Sequence, residues 1–148
     1  MSKVTALYHI VFCTRCRRMT IPLEYKEDLY RFIWKECTDV FKSKLLRIGG
    51  IQNHVHMLVN LHPSIALADF VKNIKAHSSG WLVKDIRFRG FDGWAKGYFA
   101  ESVSTRNKQG IIEYIINQES HHLSRDFDKE LHMLYDMAGL EFDNRDMR

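Results

Sequence analysis

The sequence predicts an α+β domain: a ferredoxin-like β-α-β-β-α-β sandwich followed by additional C-terminal helices. Three patterns carry that expectation. Val55, Met57, Val59 and Leu61 alternate with His54, His56, Leu58 and Asn60, the period of a strand with one apolar face. Two stretches, after Pro22 and after Pro63, hold apolar residues at helical spacing. Strand-like runs lie before the first of these stretches, in pairs between them, and once after the second, which is the order of a split β-α-β fold.

The elements follow in turn. Residues 3–13 form a β-rich run apolar on both faces, as a central strand should be. Pro22 can open a helix, with Glu24, Glu27 and Asp28 in its early turns, and Leu29, Phe32, Ile33, Cys37, Val40 and Phe41 continue it to about residue 42. Lys44 to Gln52 reads as a second strand, with Gly49-Gly50 as a bulge or tight turn, pairing as a hairpin with the histidine strand. Ser64 is a candidate N-cap for the helix striped by Leu67, Phe70, Val71, Ile74 and Trp81. Residues 85–95 read mostly as loop, and Gly97 to Val103 as the fourth strand. A third helix is expected from about Asn107 to His122. A last one runs from about Phe127 to Ala138, with Gly139 as its C-cap. In this order strands one and three are central. Two helices cover one sheet face, and His54 and His56 lie on the other, within reach of the third helix.

A chain of 148 residues with 45% apolar content fits one domain, residues 1–148, whose helical tail starts at about residue 125. No apolar run approaches a membrane span and the N-terminus lacks a signal-peptide pattern, so a cytoplasmic location is expected. The three cysteines are sparse. Cys13-x-x-Cys16 has no second pair for a zinc site, so reduced thiols are the expectation. Charge is uneven: residues 1–124 hold 18 Lys and Arg against 11 Asp and Glu, residues 125–148 hold 4 against 7. A basic body suits an anionic partner, nucleic acid being the commonest. Arg15, Arg17 and Arg18 at the first strand's end, with Arg87 and Arg89 among Phe88, Phe91 and Trp94, are the candidate DNA-backbone contacts. The plainer reading is a solvated turn and core aromatics.

His54 and His56, at i and i+2 on a strand, point the same way and make a bidentate seat for a divalent metal. Gln118 offers a hard carbonyl oxygen as a third ligand and lies one helical turn from Tyr114. Neutral donors leave the ion its full charge, which suits a phosphate and its charged transition state, and oxygen donors tolerate Mg²⁺ or Mn²⁺. Tyr114 would then attack phosphorus in line. Each residue also has an ordinary reading, as an incidental His-x-His or a packed tyrosine.

Together these residues resemble the single-tyrosine HUH transposases of the IS200/IS605 type, including their REP-associated tyrosine transposase relatives. The likeness rests on His54-Val55-His56 within Asn-His-Val-His-Met-Leu-Val, the opening Tyr-His-Ile-Val-Phe-Cys-Thr-Arg, Gly97-Tyr-Phe-Ala-Glu-Ser-Val-Ser, and Tyr114-Ile-Ile-Asn-Gln118-Glu-Ser-His121-His122. It implies a homodimer that recognises hairpins in single-stranded DNA at element ends, cuts, and keeps a 5′-phosphotyrosine link while freeing a 3′-OH. Tyr114 would be the nucleophile and His54, His56 and Gln118 the metal ligands, with active sites that the dimer can share. His121 and His122 match the pattern without an assigned role, and His9 could approach from the adjacent strand. Two competing classes are a non-catalytic nucleic-acid-binding module and a metal hydrolase that uses water as nucleophile.

Overall fold

The computed structural model describes residues 1–122 and 126–148, with only the backbone at His121. The expected tail boundary at residue 125 and the side chain of His121 therefore lie outside the described residues. Four strands form one antiparallel sheet: β1 (Leu7–Cys13), β2 (Lys44–Ile51), β3 (His54–Asn60) and β4 (Phe99–Val103), in the spatial order β2-β3-β1-β4. Helices α1 (Lys26–Lys35) and α2 (Leu67–Val83) connect them as the split β-α-β order requires. After β4 come α3 (Lys108–Ile116), a short α4 (Gln118–His121) and α5 (Phe127–Met137). This is the expected ferredoxin-like sandwich with added C-terminal helices.

The strand period assigns the two faces. Ile10, Phe12, Val55, Met57 and Val59 point into the larger core, where Leu29, Ile33, Phe70, Val71 and Ile74 of α1 and α2 meet them. Leu7 and Leu58 point the other way and pack on Ile115 of α3. Val11, Cys13 and Phe99 pack on Phe127, Leu131, Leu134 and Tyr135 of α5. Full burial of each such side chain stabilises by roughly 1.5–3 kcal/mol. The second face is thus shared: α3 covers β2 and β3, α5 covers β1 and β4, and the histidines of β3 lie between them.

Several elements depart from expectation. The first helix starts at Lys26 rather than Pro22, which lies ahead of a turn, and its last residues, Glu36–Val40, loosen into a π turn. Gly49 and Gly50 stay inside β2. The register break falls earlier, between Leu45 and Arg47. Ser64 does not cap α2: its hydroxyl and N–H pair with His62 Nδ1, and Ala66 holds the cap position. Trp81 is only partly buried, and Ser78 and Leu82 complete the stripe instead. Phe88, Phe91 and Trp94 are core, so they offer no stacking surface. The third helix breaks at Asn117 before resuming at Gln118. Gly139 ends α5 in the left-handed region (φ 73°), as expected of a C-cap glycine. No helix among the described residues is long and apolar enough to cross a membrane.

Candidate functional site

The strand geometry brings three histidines to one spot. His54 and His56 lie on one face of β3, and His9 on β1 pairs across with Leu58, one step along. All three are buried. His9 Nε2 and His56 Nδ1 are 2.9 Å apart, so His9 does reach the cluster. Tyr114 on α3 stands edge-on to both rings, with centroids 6.1 Å from His9 and 5.7 Å from His56. Gln118 follows on α4, with Oε1 2.9 Å from His54 Nε2. One chain therefore assembles His54, His56, Tyr114 and Gln118 from its own residues.

At the centre sits Glu130 of α5, a carboxylate only 1% exposed. Its Oε1 lies 3.3 Å from His54 Nε2, 3.5 Å from His56 Nε2 and 3.0 Å from His122 Nε2. Its Oε2 accepts hydrogen bonds from the Tyr114 hydroxyl and from Gln118 Nε2, the latter at 3.0 Å. The sequence reading omitted this residue, yet the signal was available. Phe127, Leu131, Leu134 and Tyr135 mark the buried stripe of α5, and position 130 falls on that stripe.

The hydrogen bonds fix which atoms carry lone pairs. Asn53 Nδ2 donates to the Arg17 carbonyl at 3.2 Å, so Asn53 Oδ1 faces His54 Nδ1 at 2.8 Å and accepts its proton. Burial holds His54 down to about 4, neutral at pH 7, so its proton stays on Nδ1 and Nε2 presents a lone pair. Gln118 donates through Nε2, which turns Oε1 toward His54. Burial alone would raise Glu130, but its polar contacts, the hydrogen bond with His122 foremost, outweigh it and hold the group below the usual carboxylate range. Three acceptors, His54 Nε2, Gln118 Oε1 and Glu130 Oε1, thus converge with no proton assigned between His54 and either oxygen. His56 Nε2 is buried without a hydrogen-bond partner among the described residues and faces the same carboxylate. A divalent cation satisfies such a donor set. His54, His122 and Glu130 offer ligand atoms within 4.8 Å of one another, close enough to hold a metal ion.

The five arginines lie elsewhere. Arg17 is turned onto the C-terminal segment and pairs with Asp128. Arg18 pairs with Asp92, and Arg87 with Asp85 and Asp28. Among the described residues Arg15 and Arg89 carry no ion pair, although Arg15 lies against Gly93. No hydrogen bond or ion pair among the described residues joins any of the five side chains to the histidine cluster. All three cysteines are free.

The family described as "Transposase IS200 like" matches residues 2–118. The chain is 28% identical over 116 residues to the transposase for insertion sequence element IS200 of Salmonella typhimurium, covering 75% of each protein. It is 25% identical over 117 residues to the ISDra2 transposase TnpA of Deinococcus radiodurans, covering 75% of this chain and 82% of that one. Two solved structures share the fold. One is a candidate transposase of Deinococcus radiodurans R1, with TM-score 0.58 and 24% identity over 80% of this chain and 95% of that one. The other is a REP-associated tyrosine transposase bound to a REP hairpin, with TM-score 0.62 and 14% identity over 82% and 74%.

Proposed function

The chain belongs to the IS200-like transposase family, and from that premise we propose that it cuts and rejoins single-stranded DNA at hairpin-bearing ends through a 5′-phosphotyrosine link on Tyr114. The observation that carries this reading is that the Tyr114 hydroxyl donates to Glu130, the carboxylate against which His54, His56 and Gln118 also lie. A nucleophile for phosphoryl transfer and a donor set for a divalent ion are the two parts the chemistry needs. The relative solved with a REP hairpin supports a hairpin-bearing substrate.

In this reading His54, His56 and Gln118 hold Mg²⁺ or Mn²⁺. When bound, the ion offsets negative charge on a nonbridging phosphate oxygen and on the transition state. The chain's own residues do the rest. Asn53 and His9 hold the two imidazoles in register by taking their second ring nitrogens, as outer partners of metal-binding histidines do. Tyr114 supplies the nucleophile. Its Oη–P bond forms as the P–O3′ bond breaks, the phenol loses its proton, and the departing 3′ oxygen gains one. A phosphodiester becomes a phosphotyrosine diester of similar energy, so the 3′-OH can reverse the step and rejoin the strand without ATP. Arg15 and Arg89 remain the candidates for backbone phosphates. One chain brings His54, His56, Tyr114 and Gln118 near one another, and in this reading a homodimer either keeps that arrangement or shares it between its two copies.

The test uses labelled single strands from the DNA flanking the gene, top and bottom separately, with Mg²⁺ or Mn²⁺. A labelled band that survives SDS is expected on one strand, lost with EDTA and in Tyr114→Phe, while Tyr114→Phe still binds the hairpin. Cleavage without an adduct would point to a hydrolase that uses water. Tight hairpin binding with no cleavage on either strand would point to a binding module.

A further inference from the structure

We propose that Glu130 is a ligand of the metal ion held by His54 and His56, so that ion binding and docking of helix α5 are one equilibrium. The inference rests on the metal-dependent reading above and extends it beyond the family match, which ends at Gln118. Glu130 stands twelve residues later, on a helix that packs on β1 and β4.

Three observations support it. Glu130 is the only buried acid among the described residues, and a bare carboxylate is costly to bury without a cation. Among the described residues nothing cationic with a fixed charge reaches it: its partners there are the three imidazoles, the Gln118 amide and the Tyr114 hydroxyl. Its two oxygens are also divided. Oε1 faces His54, His56 and His122, while Oε2 serves Tyr114 and Gln118. Coordination through Oε1 would leave the Oε2 hydrogen bonds in place, tying the tyrosine to the metal site. A carboxylate also makes the donor set harder, favouring Mg²⁺ or Mn²⁺ over the softer ions that imidazoles alone prefer.

The experiment measures Mn²⁺ binding by calorimetry on the whole protein and on Glu130→Gln, with the melting temperature of each in EDTA. It adds trypsin cleavage at Lys129 of the wild type with and without Mn²⁺. Loss of an outer partner typically costs 10–100-fold in metal affinity, so loss of a ligand should cost at least tenfold. The expected result is that loss in Glu130→Gln with the EDTA melting temperature retained, and slower cleavage at Lys129 when Mn²⁺ is present. Wild-type affinity in Glu130→Gln overturns the proposal, as does a wild type that binds no Mn²⁺. If Glu130→Gln fails to fold, the wild-type cleavage decides: protection by Mn²⁺ supports the proposal and its absence overturns it. The strand-transfer reading fails separately. Tight, Glu130-dependent Mn²⁺ binding with no DNA adduct would retain the ligand and remove the transposase chemistry. A metal-dependent adduct with unchanged affinity in Glu130→Gln would do the reverse.

Discussion

Burial keeps two histidines of the cluster from charging. His54 is held down to about 4 by desolvation, against the raising effect of Glu130. His9 is held down to about 3 by desolvation and by its neighbour His56. An unfolded chain protonates both near pH 6.5. As pH falls below 6.5 the unfolded state therefore takes up protons that the native state refuses, and stability falls with it. Each unit of pH in that window costs up to about 1.4 kcal/mol per group. Glu130, held below the usual carboxylate range, adds a loss of the same sign only below about pH 4.5. In EDTA, the urea midpoint should fall steadily from pH 7 to pH 4.5, with a shallower slope in His9→Gln. A flat profile from pH 7 to pH 5 would show that the native cluster accepts protons, and the lone-pair assignment at His54 would go with it.

At the scale of elements, the position of Tyr114 depends on a residue with no side chain. A Cβ at Gly49 would lie 2.8 Å from the Ile115 carbonyl oxygen and 2.9 Å from its Cγ2. Only glycine lets α3 settle this closely on β2, and Tyr114 is the neighbour of Ile115. Gly49→Ala should therefore lift α3 and cost about 1–3 kcal/mol of stability by overpacking. It should cost more in the rate of adduct formation, because a shift of about 1 Å at a reacting group can cost on the order of a hundredfold. Urea unfolding beside the adduct assay checks both; wild-type rate with wild-type stability would remove the close approach from the argument. The two-residue alternation of β3 and the helical stripes of α1, α2 and α5 were legible in the sequence because they are local consequences of one buried face. Helix starts were not. Pro22 and Ser64 are compatible with a cap, but tertiary packing decides which turn is the first to close. His54, His56, Tyr114 and Gln118 were legible as a group through their resemblance to a family. The stripe of α5 marks position 130 as buried, but what Glu130 meets there depends on where α5 docks, and no local pattern states that.

At the scale of the whole molecule, the acidic C-terminal segment is held to the basic body through one residue in particular. The chain turns through left-handed conformations at Cys16 and Arg17 (φ 54° and 55°), which swings the Arg17 side chain toward the tail. Its guanidinium pairs with Asp128 and donates to the carbonyls of Asp146 at 3.1 Å and Met147 at 3.3 Å. It also lies over the rings of Phe127 and Phe142, at 5.8 Å and 6.0 Å. An arginine read from sequence as a phosphate contact is thus a clasp on α5, and α5 carries the carboxylate at the centre of the site. Charge-assisted hydrogen bonds and cation–π contacts of this kind sum to about 2 kcal/mol or more. That energy acts on the tail alone, since the larger core lies on the far face of the sheet. Arg17→Ala should therefore raise the open fraction of the tail at least tenfold, read as faster trypsin cleavage at Lys129, while cooperative unfolding of the body moves much less. Equal cleavage rates would show that Phe127, Leu131 and Leu134 hold α5 without the clasp. If cleavage does accelerate, the same variant should need more Mn²⁺ to restore protection, because opening the tail withdraws Glu130 from the histidines.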